Sequence, residues 1–246
     1  MKKTNMIRLF VPLLAALLLL SSCSGGAMKL TYENGAYRNS KKGAAFLAAP
    51  ACYRAVSRAQ DEIVAKIERK SGGDIELYAI EGMDSALWLT DKSYTLYYSE
   101  GTSLPALWEM KINRVSICKT DVYTFPLGSI DNRAEIDDLI DIYRNGTTIP
   151  RAKIIPSPSS RSELLFFSEQ YPGISYSLEY WKFDEGVDVY APLTEDGSIP
   201  DLYPGIRAEI VNGEAVFRLG KALVYDRDAD RMYAVGNIIE SYFTAG

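Results

Sequence analysis

Tyr171-Pro172-Gly173-Ile174-Ser175-Tyr176-Ser177-Leu178-Glu179-Tyr180-Trp181 carries the strongest fold signal in this 246-residue chain. Pro-Gly marks a turn. From Ile174 onward, Ile174, Tyr176, Leu178 and Tyr180 alternate with Ser175, Ser177, Glu179 and Trp181, which is the two-residue period of a strand with one face in a core. Further β-type runs follow at Val187 to Tyr190, Arg207 to Val211, Ala215 to Leu219, Ala222 to Tyr225 and Met232 to Val235, with no helical pattern between them. Asn212-Gly213 joins two of these runs. Asn-Gly is the strongest short-range hairpin signal, because both central residues of a type I′ turn need positive φ.

The N-terminal half repeats this vocabulary. Asn34-Gly35 predicts a first hairpin, and runs at Ile75 to Ile80, Ala86 to Leu89, Tyr94 to Tyr98 and Lys111 to Cys118 predict antiparallel strands. Helical spacing predicts two main helices. The first begins at Pro50, carries Cys52, Val56, Ala59, Ile63 and Ile67 on one face and stops at Lys70-Ser71-Gly72-Gly73. In the second, Asn132 and Glu135 stand at capping-box spacing, Ile136, Leu139, Ile140 and Tyr143 share a face, and Asn145-Gly146 is the stop. A short helix from Asn237 to Phe243 closes the chain. Strands following strands without alternating helices imply an α+β fold with largely antiparallel sheet, rather than a doubly wound one.

Ahead of this domain, Lys2, Lys3 and Arg8 form a basic leader to the apolar segment Leu9 to Leu20, which is too short to span a hydrocarbon layer of about 30 Å at about 1.5 Å per residue. Leu20-Ser21-Ser22-Cys23 closes it. These four positions with the leader resemble the lipobox of bacterial lipoproteins. The resemblance implies cleavage before Cys23, acylation of its thiol and attachment of the protein to the outer face of a membrane. Residues 1–22 then form the signal peptide, 23–27 a tether carrying the lipidated Cys23, and 28–246 a single extracytoplasmic domain. The tether reaches on the order of 15 Å at about 3.6 Å per extended residue, so the domain is expected to sit close over the membrane.

Charge and composition remove several functions. Lys2, Lys3 and Arg8 are three of 27 basic residues, so the chain from Cys23 carries 24 against 32 acidic ones, a formal charge of −8. That sign argues against nucleic acid as a partner and against a polybasic hold on anionic lipid. The chain has no histidine, which removes Ser-His-Asp and Cys-His pairs and histidine-ligated zinc. With Cys23 acylated, Cys52 and Cys118 are the remaining thiols, and outside the cytoplasm they are expected either to bridge or to be two buried apolar residues.

Motifs point to little chemistry. Asp226-Arg227-Asp228-Ala229-Asp230-Arg231 has the alternating acids of a calcium loop, but Arg231 stands where glycine is required and Asn237 where a bidentate glutamate belongs, so an acidic hairpin turn is expected. Ser116-Ile117-Cys118-Lys119 has Ser-x-x-Lys spacing, yet a strand sends Ser116 and Lys119 to opposite faces. No metal or cofactor is expected. Trp181, Asp184, Asp188, Tyr190, Glu195, Asp196 and Tyr203 form the densest acidic and aromatic cluster and are the candidate ligand surface. Two readings follow. The first is a non-catalytic, membrane-anchored protein that binds an envelope protein or glycan. The second is a cell-wall glycan hydrolase working through paired carboxylates, with Asp188 and Glu195 as candidates. A solute receptor ranks behind both, because the βαβ order of its lobes is not visible.

Overall fold

The computed structural model describes residues 27–39, 41–59, 63–119 and 122–235. The signal segment, Cys23, the tether up to Gly26 and the 237–243 helix lie outside the described residues. The N-terminal part holds eight strands: β1 (Met28–Glu33), β2 (Ala36–Asn39), β3 (Ala44–Ala48), β4 (Tyr53–Ala55), β5 (Ile63–Ile67), β6 (Ile75–Ala79), β7 (Trp88–Thr90) and β8 (Leu96–Ser99). Asn34 and Gly35 turn β1 into β2 with φ of 49° and 84°, the positive angles the type I′ turn requires.

Seven of these strands close a barrel in the order β1-β2-β3-β8-β7-β6-β5. Antiparallel pairing reverses direction at each step, so an odd number of strands returns to the start with one parallel pair. That pair is β1 with β5, where Leu30 stands beside Ile67. Leu30, Phe46, Ala65, Ile67, Leu77, Leu89 and Tyr97 fill the interior. Closure leaves no barrel edge open to another chain.

The remainder, joined by β4, forms a nine-stranded antiparallel sheet with one α-helix. Its elements are β9 (Ile112–Lys119), β10 (Val122–Ile130), α1 (Arg133–Asn145), β11 (Thr148–Pro150), β12 (Ser160–Ser168), β13 (Ile174–Pro192), β14 (Arg207–Val211), β15 (Glu214–Asp226) and β16 (Arg231–Ala234). The Ile174 to Trp181 alternation forms the first half of β13. A register shift between Lys182 and Val187 then carries the same strand on, and β15 follows it across that irregularity. Asn212 (φ 54°) and Gly213 (φ 84°) turn β14 into β15. Asn132 caps α1, accepting the Ala134 N–H at 3.0 Å, and the helix ends at Asn145.

The fold is therefore mostly β, and the expectation of two main helices is wrong: α1 is the single helix of seven or more residues among the described ones. The segment read as a helix from Pro50 carries β4 and β5 instead. On a helix Val56 would face the core, yet Val56 is exposed and Ala55 buried. Ile63-Val64-Ala65-Lys66-Ile67 is rich in β-branched residues that fit a pleated surface, and pairing with both β1 and β6 overrides the helical spacing.

β4 links barrel and sheet. On one edge the Ala55 N–H donates to the Tyr94 carbonyl at 3.1 Å and Arg54 bridges to Thr95; on the other β4 pairs with Ile174, Ser175 and Tyr176 of β13. Barrel residues Ile80, Trp88 and Leu96 then share one core with Val115, Ile117, Leu164, Phe166, Leu178 and the inner face of α1. Gly173 lies at this joint. A Cβ there would stand 2.3 Å from Ile80 Cγ2 and 2.7 Å from Met83 Cγ. Gly173→Ala is expected to destabilise the protein by about 1–3 kcal/mol, the usual range for overpacking, and to lower its melting temperature by several degrees. Unchanged thermal unfolding would contradict the packing described.

Candidate functional site

Strand alternation disperses the acidic and aromatic cluster. Trp181 is buried; its indole N–H donates to Glu179 Oε2 at 2.8 Å, and the guanidinium carbons of Arg161 and Arg151 lie 4.3 and 4.7 Å from its ring centroid. Asp184 is exposed where β13 breaks register. Asp188 and Tyr190 point outward from the second half of β13. On the same face Arg218 of β15 pairs with Asp188 and with Glu209 of β14, and this pairing holds the Glu209 carboxyl below its usual range. Tyr203 belongs to the opposite, inward face, edge-on to Phe217 with centroids 4.9 Å apart.

Glu195 and Asp196 lie in the loop between β13 and β14, which covers that inward face through Leu193, Ile199, Tyr203 and Ile206. Asp196 shapes its own turn. Its carboxylate accepts the Thr194 and Ser198 hydroxyls and the Ser198 N–H, and these bonds, the one from Thr194 largest, hold it at about 2. An ion-paired Asp188 on one face and Glu195 in a loop covering the other do not form the acid and base flanking one bond that glycan cleavage requires. Asp188, Tyr190, Arg218 and Glu209 remain together as an exposed surface, with Tyr190 53% exposed.

A second constellation, which includes Asp226 and Asp228 of the acidic run, lies where β4, α1 and the β15–β16 turn meet β13. Asp226 is only 4% exposed. Its Oδ1 accepts the N–H groups of Asp228 and Ala229, each at 3.0 Å, and its Oδ2 accepts the Tyr143 hydroxyl at 2.8 Å. Tyr143 has a single proton to donate, so the 2.6 Å contact between the two phenols is Tyr176 donating to Tyr143. Asp228 Oδ2 accepts the Cys52 N–H at 2.9 Å. The expected acidic hairpin turn is thus present, and its carboxylates bind N–H and O–H groups; no group of three or more His, Cys, Asp or Glu residues suited to a metal occurs among the described residues.

Beside it lies a small polar enclosure lined by Cys52, Glu163, Ser177, Glu179, Tyr225 and Arg227. Glu163 and Glu179 are direct cross-strand neighbours. Ser177 Oγ donates to Glu163 Oε1 at 2.7 Å, Arg227 Nε donates to Glu179 Oε1 at 2.9 Å, and the buried Oε2 of Glu163 has no hydrogen-bond partner among the described residues. The enclosure has space for about one water. Burial pushes the Cys52 thiol and the Tyr53, Tyr143 and Tyr176 phenols far up, so all four are neutral near pH 7.

Cys52 and Cys118 are both free thiols. Cys52 flanks β13 at Ser177, whose N–H donates to its carbonyl at 2.7 Å, whereas Cys118 pairs with Glu163 on the far side of β12. Three strand spacings of about 4.8 Å separate them, beyond the Cα reach of a disulfide, about 7 Å at most. The alternative of two buried apolar residues is what the fold provides. Reading Cys52 on a helix left open a packing of that helix against the Cys118 strand, which β4 replaces.

Comparison with known proteins returned no matching family model, curated protein or solved structure. Glu163, Ser177, Asp226, Asp228 and Tyr143 went unread as a site because they come from four separate elements. The sequence marks Asp226 and Asp228 as an acidic turn, and Glu163 stands beside the apolar run Leu164-Leu165-Phe166 of a buried strand.

Tyr143→Phe removes the donor to Asp226 Oδ2 and the acceptor of Tyr176. Denaturant unfolding is expected to show a loss of about 1–3 kcal/mol, the cost of leaving a buried acceptor unmade; an unchanged midpoint would contradict the hydrogen-bond chain. Thiol titration gives a second check. Unfolded without reductant, the chain should release both Cys52 and Cys118 to a thiol reagent, and both should be protected in the folded state. Two thiols missing from the unfolded count would show a bridge.

Proposed function

We propose that this chain is a lipid-anchored extracytoplasmic protein that binds an envelope partner close to the membrane without catalysing a reaction. The observation that carries the reading is Leu20-Ser21-Ser22-Cys23 behind a basic and apolar leader, followed five residues later by Met28, the first residue of the barrel. A cysteine so placed is an acceptor for acyl chains, each buried methylene of which adds about 0.8 kcal/mol of membrane affinity. The absence of a second membrane signal fits this: no helix among the described residues is long and apolar enough to cross a bilayer.

Binding without catalysis is supported by the chemistry of the exposed and buried groups. Asp188 and Glu209 are held by Arg218, and the Cys52 thiol and the phenols of the β4 seam are neutral. Tyr190, half exposed beside that charged trio on β13, β14 and β15, has the amphipathic character of a recognition residue.

Metabolic labelling with a fatty acid tests the anchor. The wild-type chain should incorporate label and fractionate with detergent-extractable membrane, and Cys23→Ala should incorporate none. Label retained on Cys23→Ala would contradict the assignment. For the binding surface, recovery of envelope components on the lipidated protein should fall at least tenfold in Tyr190→Ala. Recovery of no component by the wild-type protein, or equal recovery by both, would contradict the binding role.

A further inference from the structure

Net charge conceals a local exception at the base of the barrel. Ala27, Met28, Lys29, Thr31, Arg38, Asn39, Lys41 and Lys42 line an open concavity of about 330 Å³ on the outside of the β1–β2–β3 segment. Four of these residues are cationic, in a protein whose chain from Cys23 is strongly acidic. Two are already paired: Lys29 Nζ lies 2.8 Å from Glu68, and Arg38 Nη1 donates to Glu100 at 2.8 Å. Lys41 and Lys42 are exposed and have no carboxylate partner among the described residues.

The lysines are held in place by the backbone around them. Asn39 Nδ2 donates to the Lys29 carbonyl at 2.7 Å while its Oδ1 accepts the Lys42 N–H at 2.8 Å, so one side chain fixes the turn after β2 against β1. Gly43, with φ of 63°, returns the chain into β3. The two ammonium groups are thereby presented beside Ala27, the first described residue.

We propose that this concavity receives the phosphate of an anionic phospholipid in the membrane to which the chain is attached, an inference that rests on the anchor reading above. Only Ser24, Gly25 and Gly26 separate Cys23 from Ala27, a reach of about 15 Å. The headgroup layer is itself several Å thick and the screening length is about 8 Å at physiological salt, so Lys41 and Lys42 work within range of the surface field. The rest of the molecule, being acidic, is repelled by the same surface. Attraction at this concavity and repulsion elsewhere orient the protein on the membrane. A lysine near such a surface contributes about a fivefold preference, so the pair gives about 25-fold.

The test separates this inference from the anchor itself. Every buried core residue among the described ones lies between Leu30 and Val235, so a chain beginning at Cys23 keeps the described fold. Coupling Cys23 of that chain to a maleimide lipid fixes it to vesicles whether or not cells acylate it, Cys52 and Cys118 being buried. The rate of modification of Lys41 and Lys42 by a water-soluble amine reagent is then read by peptide mass spectrometry. On phosphatidylcholine vesicles containing about 30% phosphatidylglycerol the two lysines should react at least fivefold more slowly than on phosphatidylcholine alone, with recovery at about 1 M salt. Lys153 and Lys221, exposed elsewhere, should react alike on both. Equal rates at Lys41 and Lys42 on the two vesicles would overturn the inference. So would equal protection by inorganic phosphate without vesicles, which would assign the concavity to a phosphate solute. Cys23 acylation, read separately as an intact mass, decides the anchor: an acylated chain that fails the vesicle test refutes only the headgroup site.

Discussion

The buried carboxylate of Asp226 ties the long sheet to the helix. Asp226 ends β15, and its two oxygens are satisfied by the N–H groups of its own turn and by Tyr143 from α1. Two residues on, Asp228 takes the N–H of Cys52, next to β4. One four-residue turn therefore clasps the helix, the long sheet and the strand that leads into the barrel. Each of these bonds is part-buried, and an acceptor sheltered from water costs more when deprived of its donor than the bond contributes when made. The turn consequently determines where β4 can lie, and β4 determines how the barrel meets the sheet.

The barrel adds a constraint of parity. Seven antiparallel steps cannot return a strand to an antiparallel neighbour, so β1 must run parallel to β5, and the segment between β3 and β5 must cross from one side of the barrel to the other. β4 lies within that crossing, where it uses both of its edges: Tyr94 and Thr95 on the barrel side, Ile174 to Tyr176 on the sheet side. The result is a continuous hydrogen-bonded path between the two sheets, backed by the shared core of Ile80, Trp88, Leu96, Leu164 and Leu178.

Local signals in the sequence were faithful wherever geometry is set within a few residues. Asn34-Gly35, Asn212-Gly213, the Asn132 cap and the alternation after Gly173 each specify positive φ, a satisfied N–H or a face, and each is present. The Pro50 to Lys70 segment failed because Cys52, Val56, Ile63 and Ile67 fit a helical face only when Ala55, Val64 and Ala65 are ignored; partners far away in the chain, β1, β6 and β13, determine its structure. The barrel itself was not legible, since its closure depends on pairing between the first and fifth strands. The structure spreads the candidate surface over two faces: Asp188 and Tyr190 point outward from β13, whereas Tyr203 lies in the loop packed on the inner face, and the polar seam around Glu163 and Asp226 gathers residues distant in sequence.

On the lipid-anchor reading proposed above, this architecture would give the protein a rigid body that carries a charged, tyrosine-bearing face on β13, β14 and β15. Rigidity is the property on which that arrangement depends, and it follows from barrel and sheet behaving as one unit. Native-state hydrogen exchange in wild type and Asp226→Ala measures it directly. The account predicts that the protected amides of β1 and β5, at the barrel closure, share one opening free energy with those of β12 and β13, and that Asp226→Ala lowers both sets together. Barrel amides that open at their own level and do not respond to Asp226→Ala would contradict it.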